Sequence, residues 1–325
     1  MTWVLWRQYR SQAAVAVIAI AAFGLLMLVT GLHMASRWHS AVSECARTNS
    51  CGSIADTVSL NSGWVGGLTV LTMIVPLVFG MFWGAPVVAR EWETGTIQFA
   101  WMQSVTRRRW LTVKVGWPLL AAAVFGGAIG GIVTWWYGPL NALQPQQFGP
   151  GFFDIQGIVP IGYAVFAVAL GLAAGTLIGR SLPALAVTCG VFLALRFTFT
   201  FWLRAHYMPA VTGIFGFNQS FTPPGAAWVL GQGTVLPGGQ LASAFDFKLA
   251  LRGFGNVPAS CQALAGGANP RPMAQCLSRA GYRSFVSYQP GNRFWTFQGI
   301  ETGIFLVLGV ALVVVTYIVA SRKDA

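Results

Sequence analysis

The feature that most constrains this chain is a series of long segments without a charged side chain. No Asp, Glu, Lys or Arg occurs in residues 11–36, 57–89, 115–153, 155–179, 181–195 and 302–321. Only 9% of all residues are charged, whereas about a quarter are charged in an average soluble domain. A chain with 55% hydrophobic residues is also too apolar to be disordered. The sequence therefore predicts a polytopic membrane protein.

The uncharged segments predict six membrane spans, because a helix needs about 20 mainly apolar residues to cross the hydrocarbon core. In chain order we number them 13–35, 65–89, 115–137, 157–179, 183–203 and 300–321. Residues 205–245 are uncharged too, but Pro and Gly interrupt them, and irregular backbone is unstable in lipid. We expect an all-α protein with spans one to five in 13–203, a large extracellular loop domain at 204–299, and span six with its tail at 300–325.

Residues 1–12 precede span one and separate aromatic from basic side chains. On a helix, Trp3, Trp6 and Tyr9 lie on one side and Arg7 on the other. This pattern is typical of an amphipathic helix in the lipid headgroup region. A simple continuation of span one is the alternative.

Lys and Arg in the short connections predict the orientation of the spans. With the N-terminus inside, the short cytoplasmic segments hold Arg7, Arg10, Arg90, Arg107, Arg108, Arg109, Lys114, Arg180, Arg322 and Lys323. The outer segments carry a lower density of basic residues, which favours an N-in, C-in topology. We therefore attribute the net charge of +12 to basic residues that set the membrane topology. We expect no nucleic-acid partner.

The cysteines agree with this topology. Cys45 and Cys51 fall in the first outer loop, Cys261 and Cys276 in the large outer loop, and Cys189 in span five. An even number on one side suits an oxidising exterior. We favour the bridges Cys45–Cys51 and Cys261–Cys276, although four cysteines allow three pairings and four free thiols are the alternative.

The predicted cytoplasmic loop 90–114 reads REWETGTIQFAWMQSVTRRRWLTVK. Gly95 interrupts the helix leaving span two, and Thr94 or Thr96 can cap a new helix. The following apolar stretch needs a cover outside the membrane. It either lies on the lipid surface or docks into a partner protein, and the spacing leaves both open.

This loop, AREWETGT followed by FAWMQSVTRRRWL, resembles that of actinobacterial permeases of the ABC type-2 family. The spans, the N-terminal helix and LRAHYMP after span five fit the same family. The resemblance implies a bacterial plasma membrane protein that pairs with a second permease copy, as a homodimer, and with ATPase subunits that hold ATP and Mg. It also implies a coupling helix in 90–104, with Glu91, Glu93, Gly95, Thr96, Phe99 and Trp101 as the residues that contact the ATPase.

Catalytic and metal motifs are absent from the sequence. There is no G-x-x-x-x-G-K-[ST] stretch to cradle a nucleotide, and no H-E-x-x-H or G-x-S-x-G. His33, His39 and His206 lack metal-ligand spacing. We therefore expect no enzymatic activity and no cofactor in this chain.

One charge interrupts a span. Arg196 lies within span five, and its best candidate partner is Glu301 at the start of span six. Either the pair is a gate or substrate contact near the outer side, or it ties two helices together. Phe197, Phe199 and Phe201 beside Arg196 form a candidate hydrophobic binding surface.

Two further patterns concern helix packing. Gly171 and Gly175 in span four have the small-xxx-small spacing that permits close helix contact. Pro76 and Pro86 predict a kink in span two.

The leading hypothesis is the permease subunit of an ATP-driven exporter for a lipophilic or amphipathic compound such as a drug, antibiotic or lipid. A membrane-bound sensor or immunity protein that binds an extracellular ligand is the main alternative. A secondary carrier would require inverted repeats, and residues 1–160 and 161–325 have no such similarity.

Overall fold

The computed structural model divides into two compact units. The first, here the membrane unit, comprises Met1–Arg204 and Trp295–Ala325, and the second, the loop unit, comprises Ala205–Phe294. The structure describes residues 14, 17–18, 21–33, 35–36, 39–40, 43–44, 47, 62–93, 107–143, 147–216, 219, 226–243, 258–264 and 271–322; at 62–65, 107–108, 139–143 and 243 it describes only the backbone. The predicted interfacial helix at 1–12 lies outside these residues.

Among the described residues, five helices are long and apolar enough to cross a membrane. They run over Gly66–Glu93, Arg109–Gly138, Val159–Ile178, Ser181–His206 and Gly291–Arg322, and we call them spans two to six. The prediction of a polytopic membrane protein is thereby confirmed. The first apolar segment contains a shorter helix, Ala21–His33, so the count of six spans stays a prediction.

Spans two and five each contain one turn of π-helix. Span two consists of helix α1 (Ser62–Phe79), the π turn Gly80–Gly84 and helix α2 (Ala85–Glu93). Helix α3 (Arg107–Leu143) contains span three, and the short helix α4 (Phe152–Ile155) precedes helix α5 (Val159–Ile178), which is span four. Span five combines α6 (Ser181–Thr198), the π turn Phe199–Leu203 and a 3-10 turn at Arg204–His206. Span six lies in α9 (Phe294–Arg322), after the two short α-helices that the structure describes in the loop unit.

Span four is the central helix of the membrane unit. It carries no charged residue and is apolar on every side, and most of its residues are buried. A helix that is hydrophobic all round is expected in such a position. Spans two, three and five all pack against it.

Glycines bring span two against span four at backbone distance. A Cβ atom added at Gly171 would lie 2.3 Å from the carbonyl oxygen of Gly80. One added at Gly175 would lie 2.5 Å from that of Ala85. The predicted small-xxx-small contact is therefore real, and it is made within one chain. The irregularity of span two is the π turn that follows Pro76 by one helical turn.

The loop unit contains a four-stranded antiparallel sheet. Its strands are β1 (Val211–Gly216), β2 (Trp228–Val235), β3 (Leu241–Ser243) and β4 (Arg283–Gln289), in the order β1-β4-β2-β3. The prediction of an all-α chain is therefore wrong for this unit. Val, Thr, Ile and aromatic residues favour strands, and such residues recur in VTGIFG and WVLGQGTV.

A disulfide joins Cys261 of helix α7 (Ala259–Gln262) to Cys276 of helix α8 (Arg271–Arg279). Leu277 and Tyr282 pack around the bridge in a small buried cluster. This pair is one of the two predicted bridges. The other, Cys45–Cys51, lies outside the described residues.

Candidate functional site

Four of the buried charged side chains in the described part of the membrane unit form one cluster. Asp154, Arg196, Arg204 and Glu301 are 3%, 7%, 1% and 0% exposed. An unpaired charge at the centre of a membrane helix costs about 2.5–3.5 kcal/mol on insertion scales, so buried charges are expected to pair. Two arginines and two carboxylates give a formal sum of zero. We call these four residues, together with the buried Tyr163, the ion cluster.

Four elements bring the ion cluster together. Asp154 lies on α4, between spans three and four, and Tyr163 is near the start of span four. Span five supplies both arginines, and Glu301 lies about two turns into α9. The cluster therefore joins the segment before span four to spans four, five and six.

The π turn of span five explains how Arg196 and Arg204 reach the same site. On a regular α-helix, residues eight positions apart point about 80° away from each other. The wide turn at Phe199–Leu203 accommodates one extra residue, so the two arginines are oriented like residues seven apart, which differ by about 20°. A helix irregularity thus places both guanidinium groups on one face.

Arg204 is the most connected residue of the cluster. Its Nε donates to Glu301 Oε2 at 2.9 Å, and its Nη2 donates to Glu301 Oε1 at 2.8 Å. The same Nη2 also pairs with Asp154. A two-point arginine–carboxylate contact of this kind fixes geometry as well as charge.

Arg196 pairs mainly with Asp154. Its Nη2 lies 2.8 Å from Asp154 Oδ2, whereas its Nη1 lies 3.9 Å from Glu301 Oε1. The sequence-predicted contact with Glu301 therefore exists but is the longer of the two. Thr200 Oγ1 lies 3.5 Å from Asp154 Oδ2 on the same side.

Aromatic rings complete the shell around the charges. The Tyr163 hydroxyl donates to Glu301 and lies 3.3 Å from Asp154 Oδ1. The Arg196 guanidinium stands 3.7 Å from the Tyr163 ring centroid, and the Arg204 guanidinium stands 4.1 Å from that of Phe153. These cation–π contacts partly replace the water that both arginines give up on burial.

The arginines decide the charge of Asp154, which lies outside the spanning helices. Burial favours the neutral acid, but the charges and hydrogen bonds of Arg196 and Arg204 more than offset this effect. The pKa of the Asp154 carboxyl is held below its ordinary value. The residue therefore acts as a fixed anion that ties α4 to span five.

The side chain of Gln298 in span six binds the backbone of the residues that precede span four. Its Oε1 accepts hydrogen bonds from the backbone N–H of Ile158 at 3.1 Å and of Val159 at 3.0 Å, and its Nε2 donates to the Phe153 carbonyl at 2.9 Å. Gly157 has a φ of +65° and touches Gln298 where a Cβ atom would collide. Residues 147–158, which we call the pre-span-four segment, are thus fastened by both the cluster and Gln298.

The ion cluster is suited to holding helices together. Its arginines and carboxylates can also separate when the helices that carry them move apart. Both carboxylates are matched by arginines, and the described residues contain no group of His, Cys, Asp and Glu that could hold a metal ion. Separation of spans five and six would expose charges that are stable only when paired or hydrated. The cluster is therefore stable in two states: with its ion pairs formed, or with its charges exposed to water.

The predicted phenylalanine surface is divided between two faces of span five. Phe199 is buried and lies 4.8 Å from the Phe305 ring. Phe197 and Phe201 are 60% and 67% exposed and stack on each other at 5.8 Å. Only Phe199 lies on the side of Arg196 that packs inward.

Sequence reasoning missed Asp154, Tyr163, Arg204 and Gln298. It placed Asp154 and Arg204 in water, because each stands at the edge of an uncharged segment. The signal that could have identified the charged residues is charge balance. Two acids and two bases lie within or next to the predicted spans four, five and six: Asp154, Glu301, Arg196 and Arg204.

The predicted coupling residues start at the end of span two. Glu91 forms an ion pair with the buried Lys114 at the start of span three. Glu93 accepts two hydrogen bonds from Ser181, the first residue of α6. Both acids thus have partners within the chain. Gly95, Thr96, Phe99 and Trp101 lie outside the described residues, and the ATPase contact of all six residues stays a prediction.

Comparison with known families gives one match. Residues 17–204, more than half of the chain, match the family described as ABC-2 membrane transporter related. No curated protein and no solved structure matches the chain. The matched range includes the loop 90–114, spans two to four and span five as far as Arg204. It contains every residue of the ion cluster except Glu301. The chain therefore belongs to the ABC-2 membrane transporter related family, a family of ABC-2 type permeases.

Proposed function

We propose that this protein is the membrane subunit of an ATP-driven exporter in a bacterial plasma membrane. Two copies would form the translocation pathway, and a separate ATPase would supply the energy. The cargo would be a lipophilic or amphipathic compound. The family match over 17–204 carries the proposal, since it includes the loop 90–114 that resembles the ATPase-coupling loop.

The ion cluster supports a role as a gate at the end of span five opposite the coupling loop. It holds the pre-span-four segment against spans four, five and six mainly by ion pairs and hydrogen bonds, with a cation–π contact between Arg204 and Phe153. When a pathway opens, hydrogen bonds to water can replace polar contacts between helices. Water cannot replace apolar contacts between a helix and lipid. The residues proposed for this gate are Asp154, Tyr163, Arg196, Arg204 and Glu301.

The same cluster argues against a proton-driven carrier. A carboxylate that carries protons across a membrane must change its charge during transport. Asp154 lies within ion-pair distance of both arginines, which hold its carboxyl in the anionic form. An external energy source such as ATP therefore fits these residues better.

The proposal is tested by purifying the tagged chain from its native host in mild detergent. Mass spectrometry of the complex is expected to identify a partner with a G-x-x-x-x-G-K-[ST] motif at about one copy per permease. The mass of the intact complex would show two copies of this chain, and the complex would hydrolyse ATP. A matched purification of a known ABC exporter from the same membranes would establish that such complexes survive the detergent.

Recovery of the chain without any ATPase, beside an intact control complex, would contradict the exporter. The membrane-bound sensor would then be the better explanation.

A further inference from the structure

The end of span two is bound to the beginning of span five by a single acidic residue. Glu93 Oε1 accepts a hydrogen bond from the backbone N–H of Ser181, and Glu93 Oε2 accepts one from Ser181 Oγ, both at 2.7 Å. Glu93 is the last residue of α2, immediately before residues 94–106 of the loop 90–114. Both oxygens of its carboxylate are thus committed to one residue of another span.

The contact between Glu93 and Ser181 supplies a hydrogen-bond acceptor at the N-terminus of helix α6. The first N–H groups of a helix have no partner within it, and the helix dipole favours a negative charge there. The residue before α6 is Arg180, whose side chain makes no capping hydrogen bond. Glu93 therefore caps α6 from a neighbouring span, so displacement of either helix end would leave the N–H of Ser181 without this acceptor.

Close packing behind the cap makes the joint stiff. Ala85 of α2, Ala174 of span four and Ala184 of α6 form a buried cluster of small side chains. Small residues allow helices to approach closely in membranes. The backbone of span two also touches span four at Gly175. The cap thus lies at the edge of a compact three-helix contact.

The other end of span five carries both arginines of the ion cluster. At 1.5 Å per residue, Ser181 and Arg204 are roughly 35 Å apart along the helix. Span five is therefore fixed at one end by Glu93 and at the other by Asp154 and Glu301. A continuous helix held at both ends can pass a displacement from one end to the other.

We propose that Glu93 is a positioning residue that transfers movement of the coupling loop to span five by capping α6 at Ser181. This inference rests on the proposed function. Glu93 would act through Ser181 instead of pairing with a basic group of the ATPase. Span five then connects the loop 90–114 to the ion cluster and the pre-span-four segment.

The decisive variants remove the donors at Ser181 while leaving Glu93 and the loop unchanged. Ser181→Pro removes both donors, and Pro is favoured at the first position of a helix. Arg180 has φ −131° and ψ 132°, the extended conformation that a residue before Pro prefers. Ser181→Thr keeps both donors and serves as the conservative rescue. Leu182→Ala is the matched control, because that neighbouring side chain is 79% exposed.

The measurement is hydrogen–deuterium exchange of the purified permease–ATPase complex, with and without ATP and vanadate. In the wild type, peptides covering 147–158 and 196–206 should change their exchange upon addition of ATP and vanadate. Ser181→Pro should lose this change while the complex still assembles and hydrolyses ATP, and Glu93→Ala should lose it too. Ser181→Thr and Leu182→Ala should retain it.

A full-sized change in both Ser181→Pro and Glu93→Ala would overturn the inference and leave the exporter intact. If Ser181→Pro fails to assemble, Glu93→Ala, which leaves the α6 backbone unaltered, decides alone. Absence of an ATPase from the wild-type preparation would overturn the proposed function and this inference with it.

Discussion

At the scale of single residues, Arg204 is central because two carboxylates depend on it. It makes a two-point contact with Glu301 and a further ion pair with Asp154, and it is almost fully buried. Without it, Arg196 alone would face both carboxylates. One buried negative charge would then lack compensation, which is far more costly than the loss of a surface ion pair.

Arg204→Met is therefore expected to lower the free energy of unfolding by about 3–5 kcal/mol. The double variant Arg204→Met with Glu301→Gln restores charge balance and should recover part of this loss. Arg322→Met, at an exposed position of the same unit, is the control. Unfolding in detergent, followed by tryptophan fluorescence, provides the comparison. Equal stability of Arg204→Met and Arg322→Met would mean that the cluster does not hold the unit together.

Sequence reasoning at this scale found half of the cluster charges. Arg196 and Glu301 stood out because each interrupts or begins an apolar helix. Arg204 escaped because span five continues through its π turn to His206, past the predicted end at 203. The partner of a buried charge depends on helix rotation, and a π turn changes that rotation without a clear signature in the sequence.

At the scale of elements, the contact between spans two and four depends on glycine. At Gly171 the nearest atoms to an added Cβ are the carbonyl oxygen of Gly80 and the backbone nitrogen of Ala85, at 2.3 and 2.7 Å. Backbone atoms cannot rotate away as a side chain can. Any side chain at this position must push the two helices apart.

Gly171→Ala is expected to destabilise the protein by about 1–3 kcal/mol, the usual cost of overpacking a well-packed contact. Gly190→Ala is the matched control, because an added Cβ there meets nothing within 4 Å. The thermal midpoint of each variant in the same detergent should fall for the first and stay unchanged for the second. Equal midpoints would indicate that spans two and four can separate without loss.

The elements themselves were predicted to different degrees. Spans two to six follow from the uncharged segments, since length and apolarity alone decide whether a helix can span a membrane. The sheet of the loop unit was missed because β1 and β2 contain glycines, which are unusual in strands, and because a long stretch of chain separates β3 from β4. Pairing between β1 and β4 joins residues far apart in sequence, and no local pattern announces it.

At the scale of the whole molecule, the proposed function requires one orientation in the membrane. The loop 90–114 must face the cytoplasm, where ATP and the ATPase are. The loop unit, which follows span five, must then lie outside. The density of Lys and Arg predicts this arrangement, and the Cys261–Cys276 disulfide is suited to an oxidising exterior.

The orientation can be read from the cysteines in spheroplasts and in inverted vesicles. We expect a membrane-impermeant reductant and maleimide to label Cys261 and Cys276 in spheroplasts only, as identified by peptide mass spectrometry. Cys189, in span five, should stay unlabelled in both and reports on leakage. Green fluorescent protein fused after Ala325 should fluoresce, because the C-terminus is predicted inside.

Labelling of Cys261 and Cys276 in inverted vesicles alone would place the loop 90–114 outside, beyond the reach of any ATPase. In that case the ion cluster would still hold the spans together, but neither the coupling loop nor the Glu93 cap could receive energy from ATP.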